Sequence, residues 1–270
     1  KYIIEGIVGS IERDVSDIKE DERYKPFVVG KDIGRYLLEY KNVYIRYDRD
    51  LLHRARPEEV FINDKILIQR ISGGGMPIKA YLDKKQYYAY ASLNILQLKD
   101  NTAYSLEYIL ALLNSKLLNW FYTNNFSNKS NLTVNISKTF LEKLPIKRAS
   151  QEEQQILSHK AKLLLELNES LLEETKKAIE LINIEYKPKK ISQSLEKFYL
   201  LGLNPFVEEL QKQGVNLSLS QKEALIAWYK TKSDLLNGIK SKIQVLDDEI
   251  DSEIYKLYGL DDDDIKLIEG

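Results

Sequence analysis

The chain has 270 residues, 43% of them hydrophobic and 30% charged, with a net charge of −1. This is the balance of a soluble globular protein, long enough for one large domain or two modest ones. No apolar run approaches the ~18–20 residues of a membrane span, and the lack of cysteine excludes disulfides and thiolate metal sites and suits a cytoplasmic setting.

The first half reads as mixed structure. The runs "NVYIRYD" (42–48), "KILIQRIS" (65–72), "PIKAYLD" (77–83) and "QYYAYASLNILQLK" (86–99) are rich in Ile, Val and Tyr and bounded by Gly, Pro, Asn and Asp. That is strand-and-turn grammar. In "KILIQRIS" the alternation places Ile66, Ile68 and Arg70 on one face and Leu67, Gln69 and Ile71 on the other. The stretch "SLEYILALLNSKLLNWFYTNNF" (105–126) has apolar residues at spacings of three and four, which predicts one amphipathic helix ending at Asn124–Asn125. The polar loop "SNKSNLTVNISK" (127–138) follows.

The second half is helical. Ser150 with Glu153 forms a capping box that opens a helix reaching to about residue 182, roughly 45–50 Å long. Leu157, Leu164, Leu171 and Ala178 repeat every seven residues along it. Pro188 and the basic cluster Lys187, Lys189 and Lys190 interrupt, and a shorter helical patch covers 192–213. Ser220 with Glu223 predicts a second capped helix carrying the seam Tyr229, Leu236, Ile243, Ile250 and Leu257. Two such helices in one chain fold back as an antiparallel pair, with self-association through the seam as the alternative. The expected fold is therefore α+β: a mixed-sheet domain with a packed helix over 1–149, then a long antiparallel, coiled-coil-like helical region over 150–270.

The net charge conceals an asymmetry. Residues 1–150 carry 24 Lys+Arg against 18 Asp+Glu, whereas residues 151–270 carry 16 lysines against 23 acids. All nine arginines and thirteen of the eighteen tyrosines lie before residue 150. A basic, aromatic half beside an acidic half points to an anionic partner on the first half. The opening "KYIIEGIVGSIERD" lacks the apolar core of a signal peptide. With Met76 as the only methionine, the simplest reading is a piece of a longer protein.

No catalytic constellation emerges. The triple glycine Gly73–Gly75 is followed by "MPIKAYLD" rather than the G-K-S/T and helix of a phosphate-binding loop. It reads as a tight turn between two strands, flanked by Arg70, Ser72 and Lys79, which suit a phosphate or a base edge. His53 and His159 lie in different halves, so no histidine metal centre is expected. The acids Asp261–Asp264 lack calcium-loop spacing and suit a helix start or a solvated face. "NPF" (204–206) only partly matches the N-P-P-F/Y string of amino-methyltransferases.

Several segments resemble a known family. "YKPFVVGKDIGRY" (24–36), "KILIQRISGGGMPIKAYLDKKQYYAYASLNIL" (65–96), and "YILALLNSKLLNWFY" (108–122) leading to "LEKLPI" (141–146) resemble the target-recognition domain of TaqI-like adenine methyltransferases, a domain type shared with type I restriction specificity subunits. "LSLSQKEALIAWYKTKSDLLNGIKSKIQVLDDEIDSEIYKLYGLDDDDIKLIE" (217–269) looks like the helical end of type IIG restriction–modification polypeptides. The resemblance implies a DNA target-recognition domain over 1–149 and a helical spacer or docking region over 150–270. The implied partners are double-stranded DNA and the parent's own upstream methyltransferase domain. That domain, which could be fused to an endonuclease, would hold S-adenosylmethionine and methylate adenine at N6. The fragment itself is expected to be no enzyme, with no cofactor and no metal. Three DNA-contact regions are expected: the turn Arg70, Ser72, Gly73, Gly74 and Lys79; the basic loop Arg46, Arg49, Arg54 and Arg56; and the polar loop Asn124, Asn128, Lys129, Ser130 and Asn131. The competing function is a protein-interaction module, with the helical pair binding a partner and the first half as scaffold.

Overall fold

A computed structural model describes residues 2–8, 14–50, 52, 56–100, 102–126 and 133–270. The chain divides into two compact units, Lys1–Leu165 together with Asp247–Gly270, and Glu166–Leu246.

The first unit contains strands β1 (Tyr2–Glu5), β2 (Val15–Ser16), β3 (Tyr24–Val28), β4 (Ile33–Gly34), β5 (Leu37–Leu38) and β6 (Tyr44–Arg46), the short helix α1 (Glu59–Ile62), then β7 (Lys65–Gln69), β8 (Ile71–Ser72), β9 (Ala80–Asp83), β10 (Tyr88–Ala89) and β11 (Leu93–Gln97). Helices α2 (Leu106–Asn114) and α3 (Lys116–Phe126), strand β12 (Val134–Asn135) and helix α4 (Lys138–Leu141) follow. The order β1-β11-β7-β9 makes one antiparallel sheet; β10-β3-β6-β2 makes a second, mixed one, in which β10 lies parallel to β3. Leu67, Leu93 and Ile95 of the first sheet share a buried core with Phe27, Val28 and Ile45 of the second and with Phe61. Central strand β7 is buried on both faces, as a near-continuous apolar run requires.

The helix expected over 105–126 is two helices. Ser115 is extended (φ −71°, ψ 154°) and ends α2, and its Oγ accepts the amide of Leu118 at 3.2 Å, capping α3. Apolar spacing continues across the break, so periodicity alone does not reveal it. Helix α2 is buried around most of its circumference against β9 and β7, a core helix rather than an amphipathic surface helix.

Helix α5 (Gln151–Tyr186) starts at the predicted box: Ser150 Oγ accepts the Glu153 amide and Glu153 accepts the Ser150 amide, at 3.2 and 2.7 Å. It ends before Pro188. Helices α6 (Gln193–Glu196) and α7 (Leu203–Lys212) lead to α8 (Leu219–Tyr258) and α9 (Asp262–Glu269). The box of α8 sits two residues earlier than predicted, on Ser218 and Gln221. Serine with glutamine three residues on satisfies the same two amides. "NPF" is structural: Asn204 and Pro205 lie in the first turn of α7, where proline loses no bond, and Phe206 is buried. Asp261 caps α9 through the amides of Asp263 and Asp264.

Residues of α5 and α8 contribute to both units. In the first, Lys160 pairs with Glu249 at 2.5 Å. In the second, Lys232 pairs with Glu174 at 3.3 Å. Also in the first unit, Glu153, Ile156 and Leu157 line one cleft with Glu253, Lys256 and Leu257, so partner numbers fall along α8 as they rise along α5 and the two helices run antiparallel there. The second unit is cored by Ala178, Ile182, Leu195, Phe198, Phe206, Leu210, Leu225 and Tyr229, with Phe198 and Phe206 ring to ring at 5.6 Å.

The acidic C-terminal stretch belongs to the first unit, which changes the meaning of the charge asymmetry. Asp247 binds Arg35 at 2.7 Å, and Lys116 is held by Glu269 at 3.1 Å and Asp248 at 3.4 Å. Asp251, 2% exposed, accepts the Lys116 amide at 2.9 Å. Burial pushes the Asp251 carboxyl up to about 6. Its charged form is therefore disfavoured in the fold, so its contribution falls as pH rises from about 4 to about 6. Relative to Asp251→Asn, the wild type is expected to lose about 2–3 kcal/mol over that window. Urea unfolding of both proteins at several pH values measures it; a pH-independent difference would contradict it.

Candidate DNA-contact surface

The glycine run is not the tight turn that the sequence suggests. Strands β7 and β9 pair from Lys65↔Asp83 to Ile68↔Ala80, and Gln69 N–H donates to Lys79 O at 3.0 Å. The ten residues Arg70–Lys79 then leave the hairpin, because β8 pairs not with β9 but with β12. Both ends of this excursion are pinned. At the start, Arg70 N–H donates to Ser92 O and Arg70 O accepts from Ile136 N–H, at 3.0 and 2.7 Å. At the end, the Ile78 amide donates to Asn119 Oδ1 at 2.7 Å, and Pro77 and Ile78 are buried.

Between these pins the tip is open. Gly74 has φ +86° and Gly75 an ordinary φ, and a Cβ on either would meet nothing within 4 Å. The backbone conformation accounts for Gly74. Nothing in the described residues requires glycine at Gly75, whose backbone is exposed. Register Val134↔Ser72 sets the exposed Thr133 beside the glycine tip.

The expected contact residues divide by what they already do. Arg70 donates to Ala91 O at 2.9 Å and pairs with Glu5 at 3.0 Å, so its guanidinium braces the loop. Arg56 donates to Glu5 O at 3.0 Å, joining the basic loop to the same strand. Ser72 is buried. Arg46 ends β6, opposite Tyr24. Asn124 is exposed, with its amide on Trp120 O at 2.9 Å. Gly73 is partly buried and Gly74 exposed. Arg49 is exposed and Lys79 half-buried, and neither makes an ion pair among the described residues. Arg54, Asn128, Lys129, Ser130 and Asn131 lie outside the described residues.

The residues that hold this surface were not singled out from sequence. Asn114, fully buried, pairs with Ala80 like a neighbouring strand: its Oδ1 accepts the Ala80 amide and its Nδ2 donates to Ala80 O, both at 3.0 Å. Asn119 holds Ile78 as described. The signal was available, since two asparagines interrupt the leucine-rich "LLNSKLLNWF", and a buried amide needs a partner. At the hairpin base, Lys65 and Asp83, both fully buried, pair at 2.6 Å. Among the described residues no cluster of three or more His, Asp or Glu could hold a metal.

Comparison with known proteins completes the picture. Residues 25–146 match the model of the TaqI-like C-terminal specificity domain, and residues 150–254 match that of a domain of unknown function, DUF8810. No curated protein matches the chain. Among solved structures, the Type IIL restriction-modification enzyme MmeI in complex with DNA is similar at 10% identity and a TM-score of 0.48, over 87% of this chain. The chain spans 35% of that protein's length.

Proposed function

From the TaqI-like specificity domain that residues 25–146 carry, we propose that the chain is the sequence-reading part of a restriction–modification polypeptide. That family match carries the reading, and the open glycine tip supports it. The parent's methyltransferase domain would bind S-adenosylmethionine and methylate adenine at N6. A nuclease fused to the same polypeptide would make it a type II restriction enzyme. Methylating a base in a duplex requires flipping it out of the stack, so the reader must hold the duplex while the target base leaves it. In this account Gly73–Gly75 approach the duplex at backbone distance, Arg49 and Lys79 supply phosphate contacts, and Arg70 positions the loop through Glu5. No catalytic step is assigned to this chain.

Two variants test the assignment. Gly75→Ala leaves the fold intact, because its Cβ enters open space, and shifts stability by less than about 1 kcal/mol. It should nevertheless weaken duplex binding by crowding the approach. Lys79→Ala should reduce the slope of log K against log salt by about 1. Fluorescence anisotropy on labelled duplex at several salt concentrations reads both. Unchanged binding in both variants would remove this loop from the interface.

A further inference from the structure

We infer that the lysine-bearing end of the second unit is an additional contact for the phosphate backbone of duplex DNA. The inference rests on the DNA reading above but concerns a surface outside the specificity domain. Residues 166–246 carry 12 lysines and 11 acids, so the unit as a whole is almost neutral. Its charge is unevenly placed. The connection leaving α5 has Lys187, Lys189 and Lys190 with no acid among them, and all three are exposed.

The fold adds a fourth lysine and fixes the group. Lys189 N–H donates to Gln213 O at 2.9 Å, which brings the end of α7, with the exposed Lys212, to the same place. The stem of Lys189 lies over Gly214, where a Cβ would come within 3.1 Å of Lys189 Cε. Two carboxylates are near: the exposed Glu185, two residues before Lys187, and Glu209, which is engaged by Ser192 Oγ at 2.7 Å, Gln213 Nε2 at 3.1 Å and Lys212 at 3.8 Å and also feels the charge of Lys190. Lys187, Lys189 and Lys190 make no ion pair among the described residues.

Lys187 also holds an unfavourable backbone conformation. Helices α7 and α8 are followed by left-handed glycines, Gly214 at φ +86° and Gly259 at φ +70°. Helix α5 is followed by Lys187 at φ +46°. Glycine or asparagine is the ordinary residue at that position, so a lysine there keeps a charge at the expense of backbone comfort. Exposed, unpaired ammonium groups on a pinned connection suit a row of phosphates, which lysines meet as point charges without reading bases.

The test uses the whole chain, a random-sequence duplex and fluorescence anisotropy across a salt series. The variant K187N/K189Q/K190Q keeps a residue tolerant of the left-handed backbone at position 187; circular dichroism confirms its fold. Its slope of log K against log salt should fall by about 2–3 relative to wild type. The charge-preserving K187R/K189R/K190R should retain the wild-type slope. A steep wild-type slope that the neutral variant leaves unchanged would overturn this inference while leaving the specificity-domain reading intact. A wild-type chain with no salt-dependent affinity for DNA would overturn that reading and this inference with it.

Discussion

Lys65→Met is expected to cost about 3–5 kcal/mol of stability, the usual penalty for removing one partner of a buried ion pair. Lys65 and Asp83 are both fully buried, with Nζ and Oδ2 at 2.6 Å. Lys65 also donates to Phe61 O, and Asp83 accepts the amides of Lys85 and Tyr87 at 2.7 and 2.9 Å. Burial pushes the Asp83 carboxyl up and the Lys65 ammonium down, and the contact between them opposes both shifts. Without Lys65 the carboxylate remains buried, with only the two amides to stabilise it. The double variant Lys65→Met/Asp83→Asn removes that charge, keeps an acceptor, and should be less destabilised than the single variant. The deficit of Lys65→Met should also shrink as pH falls, because protonating Asp83 relieves it. Urea unfolding of the two variants at two pH values decides; a double variant worse than the single would show that the pair is not the origin of the loss.

Asn114→Ala should cost about 2–4 kcal/mol, through a buried amide left unpaired and a void where the side chain stood. The residue does three jobs. Its side chain pairs with both polar groups of Ala80, its carbonyl accepts Arg35 Nε and Nη2 at 3.0 and 2.7 Å, and it ends α2 where α3 must turn away. Ala80 O keeps a second donor, the Tyr36 amide at 3.0 Å, whereas the Ala80 amide loses its acceptor. The damage should therefore centre on β9 and the pinned end of the glycine loop. Hydrogen exchange at Ile78 and Ala80 should quicken along with the fall in unfolding free energy. A loss below about 1 kcal/mol, with protection unchanged, would mean that sheet pairing alone holds the loop.

The helical seam was the most legible part of the sequence. Of the nine residues that repeat at seven, Leu157, Leu164, Ala178, Tyr229, Leu236 and Ile250 are buried and Leu171, Ile243 and Leu257 are half-buried. Both long helices begin at capping boxes, although for α8 two overlapping serine boxes competed and the upstream one formed. The strands were legible as runs but not as partners. β8 leaves its hairpin for β12, more than sixty residues away, and no local pattern encodes that choice. For the same reason the glycine run looked like a tight turn. Arg70 looked like a free contact because Glu5, which holds it, is distant in sequence. The two sides of the charge asymmetry do not stay apart: the acidic C-terminal stretch folds into the unit that contains the basic half. A DNA surface there must come from local groups such as Arg49 and Lys79 rather than from overall charge.

Whether this chain reads DNA sequence is measured by selection from a randomised duplex library. The whole chain is mixed with the library at near-physiological salt, bound duplexes are recovered over several rounds, and the pool is sequenced. One short motif should be enriched, and Gly75→Ala should reduce the enrichment while the fold is retained. A pool that remains random, from a chain shown to be folded, would contradict it.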